Sequence, residues 1–98
     1  MTIEKNLNGT ELTIIISGRL DTTTAPQLET ELKASINGVE KLILDFAKLE
    51  YLSSAGLRVL LAAQKTMSRQ GEMIIKNVNE MIREIFEVTG FVDILTIE

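Results

Sequence analysis

Two serines stand side by side, Ser53 and Ser54, immediately before Ala55-Gly56-Leu57-Arg58. Hydroxyls at the start of a helical pattern have two uses. Each can accept a hydrogen bond from an unpaired backbone N–H of the first turn, a cap that contributes about 1 kcal/mol. Each can also carry a phosphate, because a helix N-terminus presents free N–H groups and roughly half a positive charge. A group of about −1.5 to −2 charge is tolerated there without unfolding the domain. The second chemical group is Asp21, which closes Gly18-Arg19-Leu20-Asp21 and precedes Thr22, Thr23 and Thr24. A turn aspartate bonds nearby backbone amides, and it can also show its charge to a partner. The third feature is a stripe. At 100° per residue, Arg58, Ala62, Lys65 and Arg69 fall in line with Ser54. That stripe is either a solvated helix face or a contact strip for an acidic partner.

The composition removes most other chemistry. The chain has no histidine and no cysteine. A Ser-His-Asp triad, a histidine phosphocarrier, thiolate catalysis, disulfides and the usual thiolate and imidazole metal sites are therefore excluded. No Gly-rich phosphate loop is present, so an enzyme and a bound cofactor are not expected. Fourteen acidic against ten basic residues give a net charge of −4, the wrong sign for direct nucleic-acid binding. The longest apolar run, Val59 to Ala63, is five residues, against about 20 for a membrane span. The N-terminal stretch MTIEKNLNG has no apolar secretion core. The expectation is a cytoplasmic binding module in one domain over residues 1–98, without membrane insertion.

The elements that must position these groups follow from pattern. Residues 2–7 and 11–17 read as two strands around Asn8-Gly9, with the second stopping at Gly18. Thr24 and Gln27 fit a capping box for a helix over 25–36, in which Leu28, Leu32 and Ile36 form the buried face. Leu42-Ile43-Leu44-Asp45-Phe46 is apolar at consecutive positions, as in a strand covered on both faces. A second helix is predicted over 55–70, with Leu57, Leu60, Leu61, Gln64 and Met67 inward. Met73-Ile74-Ile75 reads as a strand. A third helix spans 80–89 between Asn79 and Gly90, with Ile82, Ile85, Phe86 and Thr89 on one face. Val92 to Ile97 forms the last strand. The order β-β-α-β-α-β-α-β predicts an α/β fold with a small mixed sheet of four to five strands and three main helices. In such sheets functional groups gather where strand C-termini meet helix N-termini, which selects the loops Gly18 to Thr24 and Lys48 to Ala55.

Leu44-Asp45-Phe46 followed by Tyr51-Leu52-Ser53-Ser54-Ala55-Gly56-Leu57 resembles the signature of bacterial anti-sigma factor antagonists, the STAS-domain family. Gly18-Arg19-Leu20-Asp21 resembles the family's G-x-L-D segment, and Ile85-Phe86-Glu87-Val88-Thr89-Gly90-Phe91 its last helix and following turn. The resemblance spans nearly the whole chain. It implies a module that binds an anti-sigma factor and so frees a sigma factor for transcription. The partner would also be a serine kinase that phosphorylates the module and breaks the complex, and a PP2C-type phosphatase would restore it. The family loop reads D-S-S/T-G-L. With Gly56 and Leu57 as anchors, its phosphorylated serine falls on Ser54, with Ser53 as the alternative hydroxyl. Ser53 stands where the family has aspartate, and Ala55 where it has Ser or Thr. The partner surface implied by the resemblance and by the stripe comprises Asp21, Thr22, Ser53, Ser54, Arg58 and Lys65. A regulatory subunit of a transporter or lipid-transport assembly is the alternative role for the same fold.

Overall fold

The computed structural model describes all 98 residues, Met1–Glu98. Strand β1 (Thr2–Asn8) pairs antiparallel with β2 (Glu11–Leu20), Asn8 opposite Glu11. The turn is therefore Gly9-Thr10, one residue beyond the expected Asn8-Gly9. Gly9 takes φ +64 there, a conformation open to a residue without Cβ. β2 does not stop at Gly18 but runs to Leu20.

β3 (Lys41–Asp45) is the middle strand. It pairs parallel with β2 on one side and with β5 (Glu72–Lys76) on the other. β6 (Thr96–Ile97) adds in parallel beyond β5. The path is β1-β2-β3-β5-β6, and β4 (Leu49–Leu52) pairs with β2 alone. The sheet thus has six strands, more than the four or five expected. The additional one is β4, from a segment expected to be loop. β2 is long enough to serve two neighbours: Glu11–Ile15 pair with β3, and Gly18–Leu20 with β4. Between them, β3 breaks off at Asp45 and Gly18 N–H donates to Lys48 O at 2.9 Å. Gly18 faces Leu49 and Arg19 faces Tyr51, so Glu50 is an extra, bulged residue. The bulge turns both Leu49 and Leu52 inward, three positions apart. That spacing hides the strand from any search for alternation.

Helices α1 (Ala25–Ser35), α2 (Ser54–Gln70) and α3 (Glu80–Thr89) bury their apolar stripes against one face of the sheet. Leu12, Ile14, Ile16, Leu42, Leu44, Met73 and Ile75 meet Leu28, Leu32, Leu57, Leu60, Met67, Ile82 and Phe86 in a single cluster of 23 side chains. On α2, Leu57, Leu60 and Met67 are buried as predicted. Leu61 and Gln64 are only partly so, and Val59 and Ala63 are buried instead. On α3, Ile82 and Phe86 are buried, Ile85 is half-buried and Thr89 exposed, while Asn79 Oδ1 accepts from Ile82 N–H at 2.9 Å and Gly90 ends the helix at φ +79.

Three expectations are corrected here. The capping box of α1 does not form: Thr24 has helical backbone angles and no cap bond, because its hydroxyl is engaged with the loop before it. Helices cover only one face of β3. On the other face Ile43 and Ile74, cross-strand neighbours only 8% and 5% exposed, are shielded within the sheet's own side-chain rows. One such row is Glu11–Lys41–Glu72, where the lysine reaches each carboxylate at 3.9 Å. Finally, the segment from Val92 is not all strand. Phe91–Asp93 form a 3₁₀ turn that takes up the amides of Asp93, Ile94 and Leu95, and only Thr96–Ile97 pair with β5.

Candidate functional site

β2 and β4 are parallel neighbours and end level with each other, Leu20 opposite Leu52. Ser53 N–H donates to Leu20 O at 2.9 Å across that end. The two loops singled out by the sequence therefore meet at one edge of the sheet. Ser53 is extended (φ −96, ψ 174), and its Oγ accepts from Gly56 N–H at 3.4 Å. Its carbonyl accepts from Leu57 N–H at 3.0 Å. Ser53 is thus the cap, and it supplies the side-chain acceptor that an aspartate would supply at the same position. Ser54 is the first residue of α2. Its side chain is exposed and makes no hydrogen bond, and no acidic residue lies in the first turn. The two adjacent hydroxyls are separated by function: one is engaged in folding, the other is free.

Gly56 allows the helix to start this close to the strands. A Cβ there would lie 2.6 Å from Leu52 Cδ1 and 2.8 Å from Leu20 Cγ. The helix end is pressed onto the tips of β2 and β4, which holds Ser54 beside the Asp21 loop.

Asp21 folds its own loop. Oδ1 accepts from Thr23 Oγ1 at 2.8 Å, Thr23 N at 3.0 Å and Thr24 N at 3.1 Å, and the Asp21 carbonyl accepts from Ala25 N at 2.8 Å. Thr24 Oγ1 donates to Arg19 O and accepts from Asp21 N, both at 2.8 Å. The Thr23 hydroxyl foremost, with the backbone amides of Thr24 and Thr23, holds the carboxyl well below its ordinary 3.8, at about 2, against a partial desolvation that acts the other way. Arg19 Nε lies 3.6 Å from Asp21 Oδ2, and its guanidinium stacks 4.2 Å from the centre of the Tyr51 ring. Arg19 and Tyr51 extend the site beyond the residues named from sequence. They are opposite each other in the β2–β4 register, and that register is not visible without β4.

Of the remaining residues, Thr22 and Arg58 line one depression of about 190 Å³, with Ala25, Pro26, Glu29, Ala55 and Val59. Lys65 lies two turns along α2, exposed and outside it. The helix from 54 to 70 has no acidic residue, and Arg58, Lys65 and Arg69 are all exposed. A net-negative molecule thus shows a purely basic helix edge running back from Ser54. No cluster of three or more acidic side chains gathers to hold a metal, and no helix is long and apolar enough to cross a membrane.

The profile of the STAS domain family matches residues 2–98. The chain is 38% identical over 84 residues to BtrV of Bordetella bronchiseptica, itself a candidate anti-sigma factor antagonist, covering 84% of this chain and 72% of BtrV. An anti-sigma factor antagonist from Mycobacterium paratuberculosis superposes with a TM-score of 0.89 at 23% identity, over 98% of this chain and 83% of that one. The Bacillus cell fate determinant SpoIIAA in its phosphorylated form superposes with a TM-score of 0.77 at 19% identity, over 99% and 91%.

Proposed function

Because this chain belongs to the STAS domain family, we propose that it is an anti-sigma factor antagonist switched by phosphorylation of Ser54. The unmodified protein binds an anti-sigma factor and so releases a sigma factor. The anti-sigma factor is also the serine kinase; it brings ATP and Mg²⁺, and this chain catalyses nothing. A PP2C-type phosphatase reverses the modification. The named relatives favour this role over that of a transporter subunit.

The observation that carries the reading is the division of labour between the two serines. Ser54 projects from a helix N-terminus with its hydroxyl unengaged, while Ser53 holds the fold. A phosphate on Ser54 meets the positive end of α2 and an arginine one turn on, so the domain keeps its structure. What changes is the surface: a hydrated dianion now sits beside Asp21, Thr22 and Arg58, where an uncharged hydroxyl met the partner. The experiment is a titration of this protein, before and after incubation with ATP, against an anti-sigma factor kinase from the same organism. Binding before and loss of binding after, with phosphate on Ser54 by peptide mass spectrometry, is the expected result. Binding that survives full phosphorylation would refute it.

A further inference from the structure

The depression lined by Thr22 and Arg58 does not end at the switch loop. It shares Glu29 and Val59 with a second one, of about 80 Å³, lined also by Leu32, Lys33, Ile36, Ala62, Ala63 and Thr66. The two lie end to end between α1 and α2, meeting at Glu29 and Val59, and form a groove that leads away from Ser54 for three turns of α2. The floor is apolar: Ala25, Leu32, Val59 and Ala63 are buried core residues. The two rims differ in charge. On the α1 rim Glu29 and Lys33 pair with each other at 3.8 Å and cancel. On the α2 side, 100° per residue places Arg69, Arg58 and Lys65 within about 60° of Ala62 around the helix, and that helix has no acidic residue to offset them.

We propose that this groove receives an amphipathic helix of the anti-sigma factor, its apolar side chains on the groove floor and an acidic edge along Arg58, Lys65 and Arg69. The proposal rests on the reading of the preceding section and adds the seat of the partner. A helix in a groove needs anchors at i, i+3/i+4 and i+7, and the groove offers an apolar floor of that length. The sign of the edge selects an acidic partner strand of charge over a basic one. It also explains how one phosphate breaks a longer contact: the dianion at the open end repels the same acidic edge that the basic rim attracts.

The test uses the whole protein and an anti-sigma factor kinase from the same organism. Ala62→Phe fills the groove two turns from Ser54, and Thr66→Glu puts a negative charge into it. Ala34→Phe makes the same change at an exposed position of α1 that does not line the groove. Ala62→Phe and Thr66→Glu should each weaken binding by roughly tenfold or more with unchanged melting temperature, and raise the KM for Ser54 phosphorylation more than they lower kcat. Lys65→Glu with Arg69→Glu should weaken binding more at low salt than at high salt. Ala34→Phe should bind as wild type. Unchanged affinity in both groove variants, with wild type still binding, overturns the groove and leaves the switch standing. Failure of the wild type to bind the kinase overturns both.

Discussion

Replacing the two serines singly should separate the fold from the switch. Ser53 Oγ accepts the Gly56 amide at 3.4 Å, a long bond, so the loss in Ser53→Ala belongs in the lower half of the range for caps, about 0.5–1 kcal/mol. A domain of this size moves by about 4–8 °C per kcal/mol, so the melting temperature should fall by roughly 2–8 °C. Ser54→Ala removes a hydroxyl with no partner from an exposed helical position. Its stability should stay within about 0.5 kcal/mol of wild type. Ser54→Asp adds a carboxylate to a first turn that has none and should gain about 0.3–1 kcal/mol. Phosphorylation and binding should follow a different order. Ser53→Ala should still be phosphorylated, and Ser54→Ala should not. Ser54→Ala should bind the anti-sigma factor and no longer be released by ATP. Ser54→Asp should bind more weakly, and only in part, since its single charge is less than the ~1.5 to 2 of a phosphate. Melting curves, intact-mass kinase assays and titration give the three readouts. A stability loss in Ser54→Ala with none in Ser53→Ala would refute the cap assignment. Phosphate accepted by Ser54→Ala but not by Ser53→Ala would move the switch by one residue.

Other substitutions test the surroundings. Gly56→Ala should cost about 1–3 kcal/mol, because its Cβ would overlap Leu52 and Leu20. Gly71→Ala should cost more when both variants are unfolded by denaturant, since that Cβ would lie 1.8 Å from the backbone oxygen of Glu40, which cannot swing aside. Asp21 contributes stability that is fully present above its ordinary value of 3.8 and disappears as pH falls towards about 2. Melting curves of Asp21→Asn should therefore lie below wild type at neutral pH and converge with it in acid; parallel curves would mean the carboxylate is not held by its loop. Arg58→Glu should weaken anti-sigma factor binding without lowering the melting temperature, and unchanged binding would remove Arg58 from the partner surface.

Much of this architecture was legible in the chain itself because local rules wrote it. α2 and α3 begin and end within a residue of their pattern, since the serine and asparagine caps, the Gly71 and Gly90 stops and the 3.6-residue periodicity are local signals. Ser54 and Asp21 are candidates through the resemblance of their segments to a family signature and Arg58 through the helical angle count, and the absence of histidine and cysteine narrows the chemistry. Tertiary structure decided the rest. β4 exists only because β2 outruns β3, and its bulge at Glu50 erases the alternation that would have marked it. Arg19 and Tyr51 meet only through that pairing. The capping box at Thr24 lost to a competitor inside its own loop: the hydroxyl bridges Arg19 O and Asp21 N, partners that pair with it only once β2 has been extended to Leu20. Which of two identical side chains, Ser53 or Ser54, caps the helix depends on where the backbone turns from extended to helical. That point is set by Gly56 against Leu52 and Leu20, and Leu20 is more than thirty residues away in the chain.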